Sequence, residues 1–222
     1  MTQRLNVVVM GGQSKGYHEF SVMAPIYQRF LTQAGFAVKL TEDRDDFLAE
    51  RLAEVDVVVD YTTGGSLTDA QASGLLNFVK SGRGFVGVHS AADSFHNCRA
   101  YERMVGGIFL THPPTIPHTF RVLQSSHPCM AGLPAEWTMP EELYLMDYIG
   151  QFDPLLTVSF NSFVLPVTWV KPYGCGRVFY TACGHGREQT ENTQVQQMII
   201  NAVRWSAEAR VVRQTCKEIG GW

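Results

Sequence analysis

Residues 84–95, GFVGVHSAADSF, place an imidazole where another side chain would ordinarily do the chemistry. A short apolar run leads into Gly87-Val88-His89-Ser90-Ala91, the Gly-x-X-x-small spacing of the strand–turn–helix elbow on which many hydrolases mount a serine or cysteine nucleophile. The apex here is His89. A second histidine, His185, follows the run GRVFYTACG and stands between Gly184 and Gly186, which leave room for a ligand to approach its ring. His112 lies in GGIFLTHP, in a loop that prolines can fix, and His18 and Glu19 stand where a helix begins after a glycine-rich turn. Histidine is the side chain whose charge changes near neutral pH, so rings at strand ends suit proton transfer. His96, His118 and His127 read instead as solvent or turn positions.

Two kinds of site follow. In one, His89 and His185 form a general acid and base, with Glu142 of EELY or Asp93 of HSAAD orienting one ring or stabilising its protonated form. In the other, His89, His112 and His185, with Glu142 as an additional ligand, hold a divalent metal that polarises a carbonyl or a bound water. No His-Glu-x-x-His pattern supplies a local ligand pair, so the metal requires three distant loops to converge. The plain alternatives are a core histidine bonded to a backbone carbonyl, a strand-end surface glutamate, and an Asp93 that merely favours a helix start. His18, Thr62, Ser90, His112, Tyr144 and Trp169 are the expected substrate contacts; Tyr144 and Trp169, like Tyr17 and Tyr61, lie at strand ends or on candidate loops where a flat face can stack on a ligand.

Other chemistries are excluded by pattern. Gly11 and Gly16 have the spacing of a phosphate loop, but Tyr17 and His18 stand where Lys and Ser/Thr are required, and no Gly-x-Gly-x-x-Gly occurs there. Neither a nucleotide nor a dinucleotide is expected. Five scattered cysteines with no Cys-x-x-Cys pair argue against a disulfide framework and a thiolate zinc site. Cys183 shares a strand face with His185 but lies within an apolar run, where a thiol stays protonated and inert.

The elements that must carry these residues alternate. LNVVVM (5–10), FAVKLT (36–41), VDVVVDY (55–61) and GFVGVH (84–89) are valine-rich runs of buried strands. Between them, Phe20, Met23, Ala24, Tyr27, Phe30, Leu31 and Ala34 make one helical stripe; a short helix is expected near 45–53; and Thr68-Asp69-Ala70-Gln71 reads as a capping box ahead of Ala72, Leu75, Leu76 and Val79. This order predicts a mainly parallel sheet with helices on both faces, and ligands then bind beyond the carboxyl ends of the strands. After residue 106 the short runs HTFRVL, ELYLMDYI, LLTVSF, LPVTWV and GRVFYTA predict irregular antiparallel additions, closed by a helix through Val195, Met198, Ile199 and Ala202 and a charged tail to Trp222.

The 222 residues, 45% hydrophobic and 18% charged, suffice for one domain spanning 1–222, with no linker or repeat. A net charge of -3 and the absence of a basic patch argue against nucleic acid and anionic membrane as partners. The N-terminal apolar run is too short for a signal peptide and no segment reaches bilayer length, so a cytoplasmic protein is expected. The expected partner is a small molecule; a homo-oligomer stays open.

The run LTDAQASGLLNFVKSGRGFVGVHSAADSF, followed by YERMVGGIFLTHP, SSHPCMAGLP, EELYLMD, PVTWVKPYGCGRVFYTACGH and a closing helix with Trp205, resembles the ThuA-like family, named for trehalose utilisation, over nearly the whole chain. The resemblance implies a flavodoxin-like open sheet of the class I glutamine amidotransferase-like superfamily. It also implies a carbohydrate-linked role, often alongside 3-keto-sugar intermediates, with aromatics at ELY and VTW. Laid on that superfamily's pattern, the elbow cysteine falls on His89 and the later histidine on His185, so the nucleophile of glutamine hydrolysis is missing. The expectation is therefore a carbohydrate enzyme acting on a glycoside or keto-sugar by histidine acid–base chemistry. The alternative is a non-catalytic sugar-binding or subunit-interface module.

Overall fold

A computed structural model describes residues 4–12 and 16–208. The charged tail, Cys216, the first three residues and positions 13–15 of the glycine-rich loop lie outside the described residues. The chain runs β1 (Asn6–Met10), α1 (Phe20–Gln33), β2 (Ala37–Thr41), β3 (Val57–Asp60), α2 (Asp69–Lys80), β4 (Gly84–Val88), α3 (Arg99–Val105), β5 (Gly107–Thr111), β6 (Ile116–Val122), β7 (Glu136–Glu141) and β8 (Leu145–Tyr148). It continues with β9 (Asp153–Phe160), β10 (Phe163–Tyr173), β11 (Gly176–Thr181), α4 (Arg187–Glu191) and α5 (Thr193–Ala207).

Nine strands form one sheet in the order β2-β1-β3-β4-β11-β10-β9-β6-β7, and β5 pairs with β8 separately. The first five strands in that order are parallel and the remainder antiparallel. Every residue of β3 and β4 is buried, which is why these runs are continuously apolar rather than alternating. Helices cover both faces: α5 packs on β3, β4 and β11, α1 lies beside β2 and α4, and α2 and α3 pack together against β11. The capping box at α2 forms as expected, with Thr68 Oγ1 accepting from Gln71 N and the Gln71 side chain accepting from Thr68 N.

Three local expectations change. The helix expected near 45–53 is only a 3₁₀ turn at Arg44–Phe47, because Asp43 accepts from the Asp45 amide and Arg44, 8% exposed, turns inward to the carbonyls of Gly11 and Gly12. The elbow leads into a 3₁₀ turn, His89–Asp93, with the next helix delayed to Arg99. The run ELYLMDYI is strand only over β8, and Glu142 to Tyr144 form the connection before it.

One insertion decides where the site lies. β11, late in sequence, slots parallel against β4 with Val88 opposite Thr181, so the chain leaves both strands at the same end of the sheet. The two turns that bear His89 and His185 are thereby neighbours.

Candidate functional site

His89 takes up a left-handed conformation, φ 46°, at the end of β4. A β-carbon makes that region unfavourable, and strained residues of this kind belong to elbows. Its carbonyl accepts from Tyr180 Oη (2.8 Å), and its Nδ1 lies 2.7 Å from the Ala182 carbonyl. A carbonyl only accepts, so Nδ1 carries the hydrogen, and Nε2 is the nitrogen turned to the crevice, bearing a lone pair whenever the ring is neutral. The ring is fully buried against Tyr144, centroids 4.0 Å apart.

Three other segments meet that Nε2. Glu142 Oε2 lies 3.2 Å away and His185 Nδ1 3.2 Å away, and those two atoms are 3.1 Å from each other. His18 Nε2 stands 3.1 Å from His185 Nδ1, while its Nδ1 is held at 2.8 Å by Thr63 Oγ1. One ligand-capable atom from each of His18, His89, Glu142 and His185 lies within 4.8 Å of the other three. His112 Nε2 sits at the opposite oxygen, 3.2 Å from Glu142 Oε1, with its Nδ1 toward the Pro113 carbonyl. The four-residue set that could hold a cation thus contains His18 in place of His112, which lies one atom further out on Glu142.

Glu141 organises the turn behind the cluster. It is 1% exposed and accepts from the amides of Gly184 (2.7 Å), Glu142 (2.9 Å) and His185 (3.3 Å). Gly184 has φ +112°, a conformation that L side chains rarely adopt, and this sharp turn aims His185 back toward β4. Tyr61 Oη donates to the His185 carbonyl at 2.5 Å. The carboxylates arrive from the end of β7, the outermost strand of the antiparallel half, which comes back to the β11 side and is tied there by Gln189 Nε2 donating to the Pro140 carbonyl (3.1 Å).

The cluster polarises its members in opposite directions. Burial lowers His89, and burial together with the neighbouring rings brings His18 down to about 3. The Glu142 carboxylate raises His185, outweighing its burial. Burial would raise Glu142, but its contacts with His185 and His89 hold it well below the usual carboxylate range. Burial pushes Glu141 up to about 7 against the pull of its amide donors.

Several expected contacts lie elsewhere. Trp169 is fully buried, its indole donating to the Val105 carbonyl (2.8 Å) and its ring stacked on Phe152, so it is a core residue rather than a sugar platform. Thr62 is buried and donates to Ser94 Oγ, and Ser90 is likewise fully buried; neither is available to a substrate. Asp93 pairs with His96 (3.2 Å) and not with His89 or His185. Tyr144, 2% exposed, forms the wall under His89 rather than an open platform. Glu19, at the N-cap of α1, is exposed and outside the cluster. Cys183 is buried and its thiol is pushed up by burial. The residues missed by sequence reasoning, Glu141 and Thr63, each adjoin a selected one, and only the direction of the chain at the strand end separates them.

An open α/β sheet with an elbow at the end of β4, a histidine at the nucleophile position and a histidine beyond β11 defines a class I glutamine amidotransferase-like fold whose centre is imidazole and carboxylate. Residues 6–206 match the family model described as ThuA, trehalose utilisation, and the chain belongs to that family. Among solved structures it is similar to a ThuA-like protein from Bacteroides uniformis, at 24% identity and TM-score 0.77 over 91% of each chain. It is also similar to one from Parabacteroides merdae, at 19% identity and TM-score 0.81 over 92% of this chain and 90% of that one. A β-galactosidase from Rahnella shares the fold at 15% identity and TM-score 0.62, over 95% of this chain but 31% of the enzyme. No curated protein matches the chain in sequence. Among the described residues no helix is long and apolar enough to cross a membrane.

Proposed function

We propose that the protein is an enzyme of carbohydrate metabolism that acts on a glycoside or keto-sugar through its histidine–carboxylate cluster, without glutaminase activity. The observation that carries this reading is the convergence of His185 and His112, both reaching solvent, on the two oxygens of one glutamate, Glu142. An imidazole pair bridged by a carboxylate can take the proton from the carbon beside a sugar ketone and return one to a departing oxygen. The C–H electrons then become the new double bond, the leaving oxygen keeps the pair of the bond that breaks, and solvent resets the two rings. His89 cannot touch such a substrate; it positions Glu142 and His185. The thiolate needed for a glutamyl intermediate is absent from the elbow.

A binding role is favoured by one finding, that the same fold makes up about a third of the Rahnella β-galactosidase chain. The readings part in a single experiment: incubation of the full chain with 3-keto-glycosides and their parent glycosides, with product release and calorimetric binding measured together. Turnover is expected, with His112→Ala and His185→Ala each lowering it at least about 100-fold. Binding of sugar by the parent protein with no turnover of any of them establishes the module instead.

A further inference from the structure

We infer that His18, His89, His185 and Glu142 together bind one divalent transition-metal ion of the zinc class. The first argument is geometric. Four of the separations among the ligand atoms are 3.1–3.2 Å, and all six are within 4.8 Å. Bonds of 2.0–2.1 Å to a tetrahedral zinc ion place neighbouring ligands about 3.3–3.4 Å apart. The side chains are thus already at close to ligating separations, although they come from four distant segments.

The second argument counts protons. With Nδ1–H committed to the Ala182 carbonyl, the Nε2 of a neutral His89 would meet Glu142 Oε2 lone pair to lone pair at 3.2 Å, a contact that needs either a second proton on the ring or a cation between the two atoms. His185 Nδ1 can carry a single proton, yet three polar atoms crowd it at 3.1–3.2 Å: His18 Nε2, His89 Nε2 and Glu142 Oε2. One proton satisfies one of them; one cation satisfies all.

The third concerns what lies behind the ligands. The outward nitrogen of His89 is tied to a backbone carbonyl, the outward nitrogen of His18 to the Thr63 hydroxyl, and the second oxygen of Glu142 to His112. Such outer partners fix tautomer and ring orientation in metal-bound histidines. Three imidazole nitrogens and one carboxylate oxygen suit zinc, cobalt or iron, and not magnesium or calcium, which take oxygen ligands.

The binding itself stands apart from the proposed function, and only the use of the ion rests on it: polarising a sugar oxygen that enters beside His185, with His112 left as the nearby proton carrier. The test uses the tag-free full chain, stripped with chelator and titrated with cobalt(II). Visible absorption should saturate at one cobalt per chain and vanish on addition of one equivalent of zinc. His18→Ala and His185→Ala, at partly exposed sites, should weaken binding at least about 100-fold, and Thr63→Ala about tenfold. His112→Ala should still bind cobalt stoichiometrically, and His96→Ala should match the parent. Absence of cobalt binding in a chain with native circular dichroism overturns the assignment, as does a His112→Ala that abolishes binding, or His18→Ala and His185→Ala variants that bind as well as the parent. A chain that turns over keto-glycosides without binding cobalt defeats this inference alone; one that binds cobalt and turns over no sugar defeats only the proposed function.

Discussion

At residue scale, neighbouring histidines do different work because their surroundings differ. His89 is sealed beneath Tyr144, where burial lowers its pKa, while His96 lies 47% exposed between Asp93 and Glu102, both 3.2 Å away. Burial alone would lower His96, but the hydrogen bonds to the two carboxylates win and raise it. A folded-state pKa above the ordinary value of about 6.5 means that this ring contributes stability below that pH and loses it as pH rises through the folded value. Urea unfolding of the parent and His96→Ala at about pH 5.5 and about pH 9 should show a parent advantage of a few tenths of a kcal/mol that is confined to the lower pH, since solvent screens so exposed a group. A difference of equal size at both pH values would leave His96 with packing alone. Much of the centre is legible at this scale, since valine-rich and aromatic runs end at His89 and just before His185. What was not legible is parity. Thr62 bonds to Ser94 while Thr63 holds His18, and Glu141 binds the Gly184 and His185 amides while Glu142 meets the imidazoles, and composition does not say which of each pair faces the crevice. Trp169 failed for the same reason, since an aromatic in a strand is equally suited to stacking on a ligand and to filling a core.

At the scale of elements, hydrophobic pattern shows that a run is buried but not which strand it joins. The valine-rich strands β1, β3 and β4 and the stripes of α1, α2 and α5 could be read directly, and the structure agrees with them. The place of β11 could not be read, because GRVFYTA is as compatible with a meander as with a parallel slot beside β4; only the pairing of Val88 with Thr181 brings His185 to His89. Strands β5 and β7 were not anticipated. EWTMPE carries Pro140 and charged ends, marks of an edge strand that propensity alone passes over. The capping box gives this scale its own test. Thr68→Ala removes the acceptor for the Gln71 amide, and about 1 kcal/mol of stability should go with it in denaturant unfolding, with cobalt binding unchanged because α2 contributes nothing to the cluster. A loss of binding in that variant would mean that α2 and the crevice are coupled.

For the whole molecule, the decisive fact is the distance in sequence between the converging groups, at positions 18, 89, 142 and 185. An ion held by all four binds the folded chain and not the unfolded one, so it stabilises by mass action: at a free concentration 100 times Kd the gain is about 2.7 kcal/mol. For a chain of this size that corresponds to a rise in Tm of roughly 5–10 °C, which differential scanning calorimetry with zinc and with chelator should resolve. Coincident melting curves would separate the cluster from the stability of the fold. The return of the last strand of the antiparallel half to the end of β11 has a further meaning. His18 and His89, from the first half of the chain, meet Glu142 only when the antiparallel half has brought its acidic tip back to the end of β11, so the first appearance of cobalt colour during refolding would time the moment at which the two halves become one object.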